Sequence, residues 1–338
     1  MALAEQFQKG IETIPGIHLY GGEKRVAAIV SCNLADLDSA YVSDCLAEDY
    51  GIATRAGVHC APLMHTHFGT EKQGMVRFSF SCFNTTEEVE KAVRAMQDIA
   101  AENRGKVTAY VGAGGKTSSI RKRAETLRAE GKRVLILTTT KMMVPQEQEI
   151  FAAYEQTGQE SVILDTGAVS KECRAAEKQL KERVQSVLDT YGCCVAGSLI
   201  PGTEKFGMLP EKLMEDLLYL ADEILIEADG SAHMPVKAPA EHEPVLFPYM
   251  DEVVIVMGAH AIGKPLQEVC HRVDYAKKIL KCDADKIVTA ADIRALAEQG
   301  YAIPIQKQFP WMKISKVTGK DIKLCLTAEK EDKVRDKQ

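Results

Sequence analysis

The sequence predicts a two-part α/β protein: a P-loop-like, three-layer domain on a parallel sheet over residues 107–325, preceded by a small α+β domain over 1–101. Three observations predict this. An apolar strand, a glycine-rich turn and a helix succeed one another in "VTAYVGAGGKTSSI" (107–120) and lead to a second apolar strand at 133–138. That βαβ opening calls for parallel neighbours. Further apolar runs alternate with helical periods downstream, and a polar, glycine-containing break, "ENRGK" at 102–106, sets this part off from what precedes it.

In the first part, "RVAAIVSCNL" (25–34) and "MVRFSFSCF" (75–83) read as strands, and "DSAYVSDCLAEDYG" (38–51) as a helix closing on glycine. "EEVEKAVRAMQDIAA" (87–101) carries Val89, Val93, Met96 and Ile99 at helical spacing behind a Thr85/Thr86 cap and early glutamates. In the second part, strands are expected at 107–111, 133–138, 161–164, 193–199, 223–229 and 252–258. Helices are expected at 116–130 and near 171–190, 211–220, 273–281 and 290–299, with a solvated polar tail at 326–338.

Bulk properties narrow the function. A chain of 338 residues, 46% apolar and 27% charged, can bury two cores. A net charge of −6 argues against nucleic acid or an anionic membrane as partner. The opening "MALAEQFQKGIETIPG" lacks the basic and apolar regions of a signal peptide, and no run reaches the roughly 18 apolar residues of a membrane span. A cytoplasmic location is expected. The ten cysteines contain no CxxC pair, so neither a zinc ribbon nor a disulfide framework is indicated.

The clearest chemistry lies in the glycine loop. Gly112, Gly114 and Gly115 let backbone N–H groups surround a phosphate at a helix N-terminus. Lys116 can reach the β/γ oxygens, and the Thr117 hydroxyl can ligate Mg²⁺. Tyr110 stands where the longer GxxxxGK[ST] pattern has its first glycine, so the spacing is the shorter GxxGKT. A metal-orienting acid is expected on a neighbouring strand, and Asp229 ends the apolar run "ILIEA", with Glu227 two residues earlier on the same face. The proline-rich "MPVKAPAEHEPVLFP" (234–248) adds Lys237 as a phosphate contact and Glu241 or His242 as general base or metal ligand. "LTTTKMMVP" (137–145) adds Lys141 at a strand end. The plain alternatives are an exposed polar loop for the former and ordinary strand threonines for the latter.

The first part has its own reactive feature. "GIATRAGVHCAPLMHTHFGT" (51–70) sets Cys60 in a glycine-containing turn beside Arg55 and His59. Both neighbours can favour a thiolate. A metal reading is also open, since His65 and His67, two apart on an extended strand, would share a face with Cys60 near them.

Two resemblances follow from these stretches. "VGAGGKTSSI", "RVLILTTTKM", "IEADGSAHMPVKAPAEHEPV" and "MGAHAIGKPLQEVCHR" resemble the YqeC family, described as accessory proteins of selenium-dependent molybdenum hydroxylases. The resemblance implies a nucleotide-dependent factor in selenium cofactor biosynthesis, working with Mg²⁺ and ATP or GTP. After residue 300 the chain departs from the expected apolar strand ending near an Asn-Lys-x-Asp-like sequence. "IPGIHLYG", "YGIATRAGVHCAPL" and "GMVRFSFSCFNTTEEVEKAV" are similar to the C-terminal part of class V aminotransferase-fold cysteine desulfurases and selenocysteine lyases, which are fold-type I PLP enzymes. By that resemblance Cys60 is the persulfide acceptor and Arg77 the anchor of the substrate carboxylate. Arginine's planar fork suits the second role.

Only 59 residues precede Cys60, with Lys9 and Lys24 the only lysines among them. Desulfuration by this chain alone is therefore not expected, and PLP would come with a partner large domain. A gene fusion, a separately encoded front half and a truncated gene all fit. The leading expectation is a nucleotide-binding maturation factor, possible as an NTP hydrolase, whose partners are a molybdenum hydroxylase or its maturation machinery. Glu227, Glu241 and His242 are its candidate bases. The alternatives are a persulfide or selenide carrier acting through Cys60, and a non-enzymatic nucleotide-dependent scaffold.

Overall fold

The computed structural model describes residues 1–21, 27–154 and 171–319. The strand expected at 161–164 and the tail at 326–338 lie outside the described residues. The chain forms two compact units: Met1–Gly105 with Tyr154–Ser186 and Pro210–Asp222, and Lys106–Ala153 with Val187–Leu209 and Glu223–Gln338.

The first unit opens with α1 (Ala2–Ile11), whose buried Ala4, Phe7 and Ile11 fall on one helical face. The strands β1 (Ile17–Tyr20), β2 (Ile29–Leu34) and β3 (Val76–Ser79) form an antiparallel sheet with β2 in the middle, in the register Ile17↔Leu34 and Val30↔Phe78. Between β2 and β3 lie α2 (Ser39–Glu48) and α3 (Pro62–Phe68), and α4 (Thr86–Asn103) follows. Thr85 and Glu88 close a reciprocal cap on α4, Glu88 N donating to Thr85 Oγ1 at 3.3 Å and Thr85 N to Glu88 Oε2 at 3.1 Å. Phe7 packs 4.4 Å from Phe78, ring to ring, within a core that includes Leu34, Val89 and Met96.

Later segments complete this unit. They are the first part of α6 (Lys171–Tyr191) and all of α7 (Glu211–Leu217). His18 Nε2 lies 2.6 Å from Asp216 Oδ1, and Lys181 bridges Asp216 Oδ2 at 3.3 Å and Asp36 at 2.8 Å. Gly16 N donates to Glu215 Oε2 at 3.2 Å, and the Tyr219 hydroxyl donates to the Pro15 carbonyl at 2.7 Å. At the polar break, α4 runs on to Asn103 and the next strand starts at Lys106, so only Arg104 and Gly105 join them.

The second unit begins with β4 (Lys106–Gly112), α5 (Lys116–Ala129) and β5 (Val134–Thr138), followed by β6 (Lys141–Met143), β7 (Phe151–Tyr154), β8 (Cys193–Leu199) and β9 (Lys205–Gly207). It continues through β10 (Glu223–Glu227), β11 (Val236–Lys237), β12 (Glu252–Gly258), α8 (Leu266–Val269), β13 (Cys270–His271), α9 (Val273–Leu280), α10 (Ala290–Ala295), α11 (Ile303–Gln308) and β14 (Lys313–Gly319). Its main sheet has the order β14-β12-β4-β10-β5-β8-β9-β6, parallel from β14 to β8 and antiparallel beyond. The central strands β5 and β12 are buried throughout and, apart from Thr138 and Glu252 at their ends, apolar, as parallel strands covered on both faces require.

Two expectations change. The stretch after residue 300 supplies β14, paired with β12 over seven residues from Glu252↔Lys313 to Gly258↔Gly319. Its lysines at 313 and 316 hide an edge strand from an apolar-run search. His65 and His67 sit on α3, not on a strand, because Pro62 starts a helix and Gly69 at φ 72° ends it. Two apart on a helix, they do not share a face.

The His18–Asp216 pair is testable by pH. Burial opposes charge on His18, but the hydrogen bond and charge of Asp216 outweigh it, and the imidazole titrates above its ordinary value; Lys181 and Lys212 pull the other way. The pair's stabilisation is then complete below about pH 6.5 and is lost as pH rises through the raised value. Urea denaturation of wild type and His18→Gln should show a stability gap that closes with rising pH. A gap independent of pH would contradict this.

Candidate functional site

Parallel α/β sheets bind ligands beyond the carboxyl ends of their strands. The register brings four such ends together here: Glu227 pairs with Tyr110 on β4 and Thr138 on β5, and Val256 of β12 pairs with Gly112. The loop 112–115 leaves β4 at this edge and enters α5 at Lys116. Gly112 has φ 95°, and a Cβ there would lie 2.1 Å from the Val256 carbonyl oxygen. Gly114, at φ 74°, would place a Cβ 2.3 Å from the Pro235 carbonyl oxygen. Both glycines are thus required by backbone pressed against backbone. Ala113 N donates to Val256 O at 2.8 Å, pinning the loop to β12. Among the described residues no protein acceptor meets the amides of Gly114, Gly115, Lys116, Thr117 or Ser118. These five N–H groups gather at the N-terminus of a 14-residue helix.

Beneath the loop lies a buried charge cluster centred on Asp229, which is 0% exposed. Its Oδ2 accepts from Gly112 N at 3.0 Å and from the Tyr301 hydroxyl at 2.9 Å, and lies 3.3 Å from Lys237 Nζ. Lys116 Nζ approaches its Oδ1 at 3.1 Å. That contact is an ion pair rather than a hydrogen bond, since Oδ1 lacks a well-directed donor while Lys116 donates to the Gly112 carbonyl at 2.8 Å. Lys237 donates to the Gly230 carbonyl and pairs with Glu243 at 2.8 Å, and Glu243 pairs with Arg272 at 2.9 Å. The short parallel pair β11–β13 sets Lys237 beside His271 and so next to Arg272. Burial would raise the Glu243 carboxyl, but Lys237, the Ala240 amide and Arg272 hold it below the usual carboxylate range. Burial, and then the neighbouring Asp229, push the Tyr301 hydroxyl well above its ordinary value, so it stays a donor.

Glu227 stands apart from this cluster. Its Oε2 accepts from the Thr117 hydroxyl at 2.9 Å, while Oε1 is 3.9 Å from Lys116. Burial raises its carboxyl; Lys116 and Thr117 oppose the shift, as does nearby His233.

The structure therefore sorts the residues singled out by sequence. Gly112, Gly114, Gly115, Lys116, Thr117, Glu227 and Asp229 come together. Lys237 joins them as a buried strut, with Nζ turned to Asp229 and Glu243 rather than outward to a phosphate. Glu241 and His242 are exposed, and the next residue, Glu243, turns inward instead. Lys141 is exposed on β6, paired with Gly207. The hydroxyls of Thr138 and Thr139 donate to the carbonyls of Glu227 and Val245 and so tie strand ends together. Tyr301 and Arg272 were not singled out. Tyr301 lies far along the chain in a π-helical turn (Leu296–Ala302), where no motif marks it.

In the first unit, Cys60 is exposed at φ 60°, and Arg55 Nη2 is 4.0 Å from its sulfur. His59 Nε2 lies 2.8 Å from the Arg55 carbonyl, and burial lowers its pKa against that contact, helped by Arg77, His65 and Arg55. Arg55 and Arg77 exchange backbone hydrogen bonds at 3.2 and 2.9 Å, and Arg77 Nε is buried without a hydrogen-bond partner. His65 Nδ1 is engaged by Thr70 at 2.9 Å, and His67 is exposed. Among the described residues no group of three His, Cys, Asp or Glu can hold a metal. No helix among them is long and apolar enough to cross a membrane.

Removing a buried carboxylate leaves its cationic partners uncompensated. Asp229→Ala should lower the stability of the chain by roughly 3–5 kcal/mol in urea denaturation, whereas a loss below about 1 kcal/mol would contradict the junction described above.

Comparison with known proteins finds two families along the chain. The family described as YqeC protein matches residues 108–274, and the aminotransferase class-V family matches residues 1–92. The uncharacterized protein YqeC of Escherichia coli K12 is 34% identical over 203 residues, which are 59% of this chain and 70% of that protein. A probable cysteine desulfurase of Methanothermobacter thermautotrophicus is 33% identical over 101 residues, 30% of this chain and 25% of that protein. A cysteine desulfurase of Shigella flexneri is 35% identical over 89 residues, 26% of this chain and 21% of that protein. The chain thus spans about a quarter of the length of these desulfurases. The crystal structure of the cysteine desulfurase CsdA from Escherichia coli is 29% identical, covers 30% of this chain and 24% of that one, and superposes with a TM-score of 0.27. Residues 1–92 are similar to a segment of class-V aminotransferases, and through the domain that follows the chain belongs to the YqeC family.

Proposed function

We propose that the second unit binds a nucleoside triphosphate, ATP or GTP, together with Mg²⁺, on the loop from Gly112 to Thr117. In this reading the protein is an accessory factor in selenium cofactor biosynthesis and the maturation of molybdenum hydroxylases. The observation that carries it is the set of five successive amides, Gly114 to Ser118, at the N-terminus of α5 with no protein acceptor among the described residues. The donor set fits a polyphosphate: amides for the oxygens, a lysine buried under the same turn, and a hydroxyl–carboxylate pair beside them. Lys116 now donates to the Gly112 carbonyl, and it would exchange that contact for phosphate. Isothermal titration should show Lys116→Ala losing nucleotide binding altogether. Unchanged affinity in a variant with wild-type circular dichroism would remove the proposal.

A second reading is favoured by the exposed thiol of Cys60, the adjacent Arg55 and the orphaned Nε of Arg77. Here Cys60 accepts sulfur or selenium as a persulfide or selenide, and Arg77 binds a carboxylate. PLP and its lysine would come from a separately encoded large domain. After co-expression with a class V desulfurase large domain and turnover of cysteine, intact-mass spectrometry should show about 32 Da added to wild type and none to Cys60→Ser. No adduct on wild type would sink this reading.

A further inference from the structure

We infer that the divalent cation accompanying the nucleotide is held by Thr117 and Glu227, and that Asp229 is a positioning residue that never ligates it. The inference rests on the nucleotide reading above and deepens it.

Asp229 has the sequence position of a metal-orienting acid, but its surroundings exclude that role. It is fully buried, with Gly112 N, the Tyr301 hydroxyl, Lys237 and Lys116 arrayed around its two oxygens. Even with Lys116 moved from Oδ1 to phosphate, a cation reaching those oxygens would face the buried ammonium of Lys237, 3.3 Å from Oδ2. It would also break the bond that shapes the turn at Gly112. Glu227 has none of these commitments. It ends β10 at the strand edge, one oxygen meets Thr117 on the first turn of α5, and the other lies 3.9 Å from Lys116. Thr117 is itself one of the residues whose amide is unmatched, so cation and phosphate would be contiguous.

The ligand chemistry selects the ion. Among the described residues no three His, Cys, Asp or Glu gather for a metal, which leaves no all-protein cage for zinc or calcium. A single carboxylate and a hydroxyl, completed by phosphate oxygens and water, is how Mg²⁺ is commonly held. Lys116 at present supplies the positive charge near Glu227. The cation would take its place as Lys116 moves to phosphate.

The test is isothermal titration of the full chain with ATP and with GTP, each in Mg²⁺ and in EDTA. Wild type should bind roughly ten- to a hundredfold more tightly with Mg²⁺ than in EDTA, and Glu227→Gln should lose that difference. Thr117→Val should behave likewise, which guards against a folding defect particular to Glu227→Gln. With Mn²⁺ as probe, the electron paramagnetic resonance signal of the protein–nucleotide complex should revert to that of free Mn²⁺–nucleotide in both variants. Wild-type Mg²⁺ dependence in Glu227→Gln and Thr117→Val would overturn this assignment alone. Mg²⁺-independent binding by wild type would overturn the cation site and leave the nucleotide reading standing. No nucleotide binding by wild type under either condition would overturn both.

Discussion

One buried carboxylate organises the functional end of the second unit. Asp229 joins four elements of the chain: the glycine turn through Gly112 N, the first residue of α5 through Lys116, β11 through Lys237, and the π-helical turn through Tyr301. A lone carboxylate buried this deeply would be costly, and so would either lysine. Together they compensate one another, with Gly112 N and the Tyr301 hydroxyl bonded to Oδ2 of Asp229, and none can be removed without stranding the rest. The loop's shape is therefore fixed from beneath by charge and from the side by the close approach of Gly112 and Gly114 to Val256 and Pro235. Its outward face is left with unmatched N–H groups.

This separates two tasks that the sequence pattern alone would assign to one acidic pair. Asp229 shapes the turn, and Glu227, two residues earlier, reaches Thr117 at the rim. The separation follows from strand geometry. The last residue of β10 can face Thr117, whereas Asp229, two residues beyond the strand, drops under the loop and meets Gly112. Lys116 lies between them, paired inward, and the account gives it a second position on phosphate.

Much of this was legible in the sequence, for identifiable reasons. The apolar strands 107–111, 133–138, 193–199 and 252–258 announce themselves because both faces are buried, and the glycine loop because backbone crowding admits no other residue. The helix carrying His65 and His67 had a readable start at Pro62 and stop at Gly69, masked by an apparent metal-ligand spacing. Edge strand β14 was hidden by its lysines. Tyr301 and Arg272 could not be found locally, since their roles come from long-range partners at Asp229 and Glu243. In the loop at 241–243, the sequence marked the right segment but not which acid turned inward. Only the pairing of Lys237 decides that in favour of Glu243.

The first unit carries the exposed Cys60 and draws α7 and part of α6 into its fold through Asp216 and Lys181. The central claim concerns the second unit, and a crystal structure of the full chain with a non-hydrolysable nucleoside triphosphate and Mg²⁺ tests it most directly. The account predicts phosphate oxygens on the amides of Gly114 to Ser118, Lys116 Nζ moved from the Gly112 carbonyl to phosphate, and Asp229 still bonded to Gly112 N and Tyr301. Nucleotide bound elsewhere, or bound at the loop with Mg²⁺ on Asp229, would contradict it.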